Sequence, residues 1–129
     1  MLVWIIAVLA LYLLQVYLPS PIRIAQVGVS GYMGPRDDMP DLPPLGARAE
    51  RAARNLGESL PFFLAAAILG IVLDAQTPLA LAGAAVFFGA RVVYLLLYIN
   101  GVPYIRSAVW TVGFIGILMM AWPLFGQLA

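Results

Sequence analysis

Residues 47–73 read ARAERAARNLGESLPFFLAAAILGIVL, and this stretch decides the class of protein. It is helical in composition but has two halves. Residues 47–59 carry Arg48, Glu50, Arg51, Arg54, Asn55 and Glu58, whereas residues 60–73 are almost wholly apolar. At 1.5 Å per residue the apolar half covers roughly 21 Å, short of the roughly 30 Å hydrocarbon core of a bilayer. The polar half is therefore expected to enter the membrane, which is costly unless its polar face looks into protein or water.

The flanking sequence repeats the theme. Residues 2–18 form an apolar run broken only by Gln15. No Lys or Arg precedes it and no small-residue cleavage site follows, so it reads as a retained span rather than a leader. Pro19 and Pro21 kink or end it, and residues 22–27 add an amphipathic turn or two. Residues 34–46 hold Pro35, Pro40, Pro43 and Pro44 with Asp37, Asp38 and Asp41, a mixture that reads as a loop. Residues 74–77 form a tight turn, and Thr77–Pro78 is a good N-cap and first-turn pair. The expected spans are about 2–22, 47–73, 78–98 and 104–125, with a turn at residues 100–103. Of 129 residues, 64% are hydrophobic and 10% charged, too little polar surface for a soluble globule. Four spans leave no room for a separate soluble domain of ordinary size. The expectation is an all-α integral membrane protein, one domain over residues 1–129.

The chain has no Cys, His or Lys. That removes a Cys nucleophile, the commonest general base and metal ligand, and Schiff-base chemistry. All seven cations are Arg, which stays charged. No metal site and no nucleic-acid partner is expected. Arg23, Arg36, Arg48, Arg51, Arg54 and Arg106 belong to the first and third connections or the helix ends beside them. The positive-inside rule makes that side cytoplasmic and both termini extracytoplasmic.

Two stripes mark where chemistry could lie. Arg51, Asn55, Glu58 and Phe62 fall at i, i+4, i+7 and i+11 on one helix face, flanked by Arg48 and Arg54. Arg91, Tyr94 and Tyr98 fall at i, i+3 and i+7 on the third span. An Arg inside the membrane costs roughly 2.5–3.5 kcal/mol on insertion scales and needs a partner. On a structural reading Arg54 and Arg91 pair with Glu58, and the tyrosines form an interfacial belt. On a functional reading the two stripes face one pocket. Arg106 either anchors its helix at the headgroups or joins that pocket. Trp110 and Trp122 fit interfacial or packing roles, and Gly113 and Gly116 fit close helix packing. Several Arg, one Glu, one Asn and two Tyr suit a small zwitterion or anion bearing carboxylates and an amine. A pocket open to the bilayer would also admit a second, apolar partner.

Arg51-Ala52-x-x-Asn55-x-x-Glu58-x-x-Pro61-x-Phe63-Leu64 resembles the second-helix signature of the MAPEG family, the membrane-associated proteins in eicosanoid and glutathione metabolism. Ala90-Arg91-x-x-Tyr94-x-x-x-Tyr98 followed by Gly101 resembles its third helix, and Arg106-Ser107 with Trp110 and Gly113 the start of its fourth. The likeness is to bacterial-type members. It implies a four-helix bundle assembled as a homotrimer in the bacterial inner membrane, among membrane lipids. It implies glutathione as co-substrate, bound between subunits by Arg48, Arg51, Asn55, Glu58, Arg91, Tyr94 and Tyr98. It implies Arg106, or Tyr94, as the group that stabilises the glutathione thiolate, and a lipophilic electrophile as the other substrate. The alternative in the same family is a non-catalytic trimeric binder of lipids or other ligands. A small four-span drug exporter ranks last, because such proteins carry an acid in the first helix and residues 2–18 have none.

Overall fold

The computed structural model describes residues 1–35 and 37–127. Among them every regular element is a helix: α1 (Leu2–Tyr17), α2 (Ser20–Met33), α3 (Pro44–Val72), α4 (Pro78–Ile99) and α5 (Pro103–Phe125). By length and composition α3, α4 and α5 can each cross a membrane, and α1 with α2 qualifies only as a pair bent by 46°.

The bend lies where Pro19 and Pro21 were expected to kink or end the first helix, and the helix stops at Tyr17, short of the expected bound at residue 22. Pro19 and Pro21 cannot donate backbone hydrogen bonds, and their rings crowd the preceding turn. The helix stops at Tyr17 and restarts at Ser20, with Pro19 as the N-cap of α2. Nor does α2 fade after a turn or two. It continues to Met33, across Gly28 at φ 73°, ψ 170°. It ends at Gly34, whose extended backbone (ψ −174°) fits the residue before a proline. The loop is correspondingly shorter than residues 34–46. Pro43 caps α3 and Pro44 occupies its first turn, where a missing N–H belongs to the unpaired set anyway.

The other boundaries follow the sequence closely. Thr77 Oγ1 accepts from Ala80 N at 3.2 Å, capping α4. The turn before it places Asp74 at φ 52°, a conformation that Asp tolerates better than most side chains. α3 has 29 residues, about 43 Å at 1.5 Å each, so it outruns the hydrocarbon core and carries its polar turns to the rim. Pro61 lies within it and removes one rung of the ladder where polar sequence gives way to apolar.

The core is small-residue packing around a few large side chains. Val8 of α1, Leu56, Phe63, Ala66 and Ala67 of α3, Ala84 and Phe87 of α4, and Ile117 and Met120 of α5 are buried together. The Phe63 and Phe87 rings stack at 4.7 Å and 17°. The most extensive pairing is α4 on α5, and two glycines explain it. A Cβ at Gly83 would stand 2.5 Å from the Gly116 carbonyl oxygen, and one at Gly116 would stand 2.7 Å from the Gly83 oxygen and 2.8 Å from Phe87 N. The two backbones touch there, as small residues permit between membrane helices.

Candidate functional site

Three helices converge where α3 leaves the core. α3 brings Arg51, Asn55 and Glu58; α4 brings Arg91, Tyr94 and Tyr98; α5 brings Arg106. The Arg106 guanidinium carbon lies 4.4 Å from the Tyr98 ring centroid, and that of Arg51 lies 6.0 Å from the same ring. Tyr94 and Tyr98 are 5.5 Å apart, tilted by 56°. Two cations from different helices thus approach one aromatic ring, a favourable arrangement for guanidinium groups. Both remain free to pair with an anion, because neither forms an ion pair among the described residues.

Two cavities that share Asn55 and Trp110 lie between these helices, and Arg106 lines one of them. The outer, of about 290 Å³, is lined by Asn55, Tyr94, Arg106, Ser107, Trp110 and Thr111. The inner, of about 120 Å³, shares Asn55 and Trp110 and adds Glu58, Arg91, Phe62 and Phe114. Both cavities therefore mix polar and aromatic side chains: Tyr94 and Trp110 stand beside Arg106, Ser107 and Thr111 in the outer, and Phe62 and Phe114 beside Glu58 and Arg91 in the inner.

The stripes read from the sequence do face each other, but their members differ in exposure. Tyr94 and Arg91 are 8% and 2% exposed. Asn55, Tyr98 and Arg106 are half-buried, and Arg51 and Glu58 are exposed in the single chain. Arg91 does not pair with Glu58, as the structural reading had it. Its Nη1 donates to Asn55 Oδ1 at 2.8 Å, because Asn55 faces inward and Glu58 stands at the exposed edge. The Arg54–Glu58 pair is likewise absent. Arg54 turns to the opposite flank, where it borders a cavity of about 500 Å³ with Tyr12, Ser20, Arg23, Tyr32 and Glu50. Arg48 stands apart from the groove. Its Nη1 donates to the Ile99 carbonyl at 3.2 Å, and its guanidinium fills the space above Gly101, where a Cβ would meet it at 2.9–3.1 Å.

Sequence reasoning missed Ser107 and Thr111, which line the outer cavity. Their signal was available: Ser107, Thr111 and Phe114 stand at i, i+4 and i+7, beside the turn that starts with Arg106. Trp110 also lines both cavities, beyond the packing role expected of it.

Among the described residues, helices long and apolar enough to cross a membrane, with a polar and aromatic groove lined by three of them, define a helical membrane protein. The chain belongs to the MAPEG family, whose model matches residues 1–126, essentially the whole length. No curated protein and no solved structure matches it. Family membership and the apolar helices make it an integral membrane protein of the class concerned with glutathione and eicosanoid metabolism.

Proposed function

We propose that the protein binds glutathione in the groove between α3, α4 and α5 and joins its thiolate to lipophilic electrophiles. The observation that carries this reading is the convergence of Asn55, Tyr94 and Arg106, from three helices, on one cavity of about 290 Å³. The size suits part of a tripeptide, with the remainder lying along the exposed Arg51 and Glu58. Arg51 would pair a carboxylate, Glu58 the amine, and Asn55 and Tyr98 the rest of the polar backbone. Arg91 and Tyr94 supply the deeper wall. Arg106, a fixed cation at the mouth, would hold the sulfur as thiolate by lowering the thiol's pKa. The thiol proton leaves to water. The sulfur lone pair forms the new S–C bond, and the electrophile's leaving group departs with its bonding pair. The apolar substrate would enter along Phe62 and Phe114, which border the inner cavity.

In this reading α1 and α2 act as the first of four spans, and the chain assembles as a homotrimer. A second copy would cover Arg51 and Glu58, which lie open in the single chain. The Arg-bearing end faces the cytoplasm, and the termini face away from it, in a bacterial inner membrane. The test is calorimetric titration of the detergent-purified protein with glutathione and with a des-amino analogue, together with thiolate absorbance against pH. Saturable binding that weakens without the amine, and a thiolate absorbance that appears well below the ordinary thiol range of about 8.5, support the proposal. In Arg106→Ala the thiolate should appear only at higher pH, and lost activity should recover there. Tyr94→Phe, which removes one hydrogen bond, should shift the profile less. Binding with no thiolate in the unmutated protein would favour the non-catalytic alternative. No binding at all would refute the glutathione site.

A further inference from the structure

Arg91 is the largest fully buried side chain among the described residues, at 2% exposure. It sits in an aromatic bed, its guanidinium carbon 5.1 Å from the Phe87 ring centroid and 5.6 Å from that of Tyr94. No carboxylate neutralises it among the described residues, and its Nε has no hydrogen-bond partner. Its polar contact is the 2.8 Å bond from Nη1 to Asn55 Oδ1.

That bond settles which way the Asn55 amide faces. An amide can usually be turned over without penalty, because oxygen and NH₂ have the same shape. A guanidinium carries only donors, so it accepts the oxygen side and repels the NH₂ side. The amide is planar, and its Nδ2 must then point away from Arg91. Asn55 Nδ2 has no acceptor among the described residues, yet it is not sealed in the interior. Asn55 lines both cavities.

We propose that Arg91 is a positioning residue: by holding Asn55 Oδ1, it presents two N–H donors of Asn55 to the groove, so that the site selects a hydrogen-bond acceptor at that point. This rests on the glutathione reading above, in which the acceptor is a peptide carbonyl or carboxylate of the tripeptide. It differs from that reading in the role of Arg91, which acts through Asn55 and not on the ligand. Without the guanidinium, the amide would turn freely and offer its oxygen to the same acceptor half of the time, a repulsive contact.

The test has two arms on the full-length protein in detergent. In the first, glutathione affinity is measured for Arg91→Met, Asn55→Ala and the double variant. Methionine fills the apolar bed without a donor, and burying an apolar group in place of an ion is generally tolerated. Arg91→Met should weaken binding about twofold, because about half of the amide population stays competent, Asn55→Ala about tenfold, or about 1.4 kcal/mol, and the double change should be no weaker than Asn55→Ala alone. An Arg91→Met loss of about tenfold or more, or a double variant weaker than Asn55→Ala alone, would mean that Arg91 meets the ligand itself and would overturn the proposal. In the second arm, the thermal midpoint is measured without ligand for Asn55→Asp, with Arg91 present and with Arg91→Met. A carboxylate in place of Oδ1 should raise the midpoint beside Arg91 and lower it beside methionine. A midpoint lowered equally in both backgrounds would overturn the proposal. If no variant and no parent binds glutathione, the ligand assignment fails, while the second arm still decides whether Arg91 orients Asn55.

Discussion

Gly116→Ala should be among the most damaging single-methyl additions in this protein. The new Cβ would meet the Gly83 oxygen at 2.7 Å, Phe87 N at 2.8 Å and Phe87 Cα at 3.2 Å. All three are backbone atoms of α4, so no rotamer change relieves them. Carbon contacts are comfortable from about 3.5 Å, so the helices must part by somewhat under 1 Å. A gap of about 0.5–1 Å forfeits a quarter to a half of each dispersion contact along the seam, where Ala84, Phe87, Ile117 and Met120 pack. Overpacking a core typically costs about 1–3 kcal/mol, and with backbone on both sides the upper end applies. The assay is thermal unfolding in one detergent, with two controls. A Cβ at Gly113 would meet Ala90 Cβ at 3.4 Å and nothing nearer, and one at Gly89 would meet nothing within 4 Å. Gly113→Ala should therefore change the midpoint little, and Gly89→Ala should not lower it. If Gly116→Ala unfolds at the same temperature as these controls, the α4–α5 backbone contact does not hold the fold as described.

Three further outcomes are expected. Gly101→Ala places a side chain at φ 74°, costing about 1–2 kcal/mol, and displaces Arg48 from the Ile99 carbonyl; Arg48→Ala should recover none of the backbone penalty, as a thermal midpoint would show. Arg51→Ala and Glu58→Gln should each weaken glutathione binding by about 1.5–3 kcal/mol, the worth of a hydrogen bond to a charged group; unchanged titration curves in both would make these residues structural. Because the chain lacks Cys, single substitutions Asp38→Cys and Gln76→Cys report orientation directly. An impermeant thiol reagent applied to intact cells should label position 76 and not position 38, and the reverse would invert the proposed topology.

Much of this architecture was legible because membrane helices are dictated by apolar length and by the residues that stop them. Thr77–Pro78 marked the start of α4, and the break at residues 100–102 marked its end, from local chemistry alone. The first connection resisted reading. Whether Pro19 bends a helix or ends it depends on the path beyond, and Gly28 joins two helical turns through a backbone conformation that composition does not encode. Pro43 and Pro44 read as loop residues and start a helix instead. At the site, helical periodicity brought Asn55, Arg91, Tyr94 and Tyr98 to facing sides, because i, i+4 spacing survives tertiary packing. What periodicity could not assign was the partner of each cation. Arg48, Arg51 and Arg54 lie within two turns of one helix, yet they reach the α4–α5 turn, the Tyr98 ring and the opposite flank respectively. Small rotations about a helix axis decide such destinations, and only the neighbouring helices fix them.

The α4–α5 pair has a consequence for the order of assembly. Its helices are joined by three residues, 100–102, so the chain entropy lost in bringing them together is small. Contacts local in sequence form before distant ones, and the glycine seam admits one close register. This hairpin carries Tyr94, Tyr98 and Arg106, so one wall of the groove belongs to a unit that can form during synthesis without waiting for a slow search. α3 is joined to α4 by the five residues 73–77, so its docking, which supplies Asn55, is also local in sequence. The buried guanidinium of Arg91 then works as a latch at that docking step: a helix arriving out of register leaves it unpartnered in an apolar interior, and the correct register supplies Asn55 Oδ1.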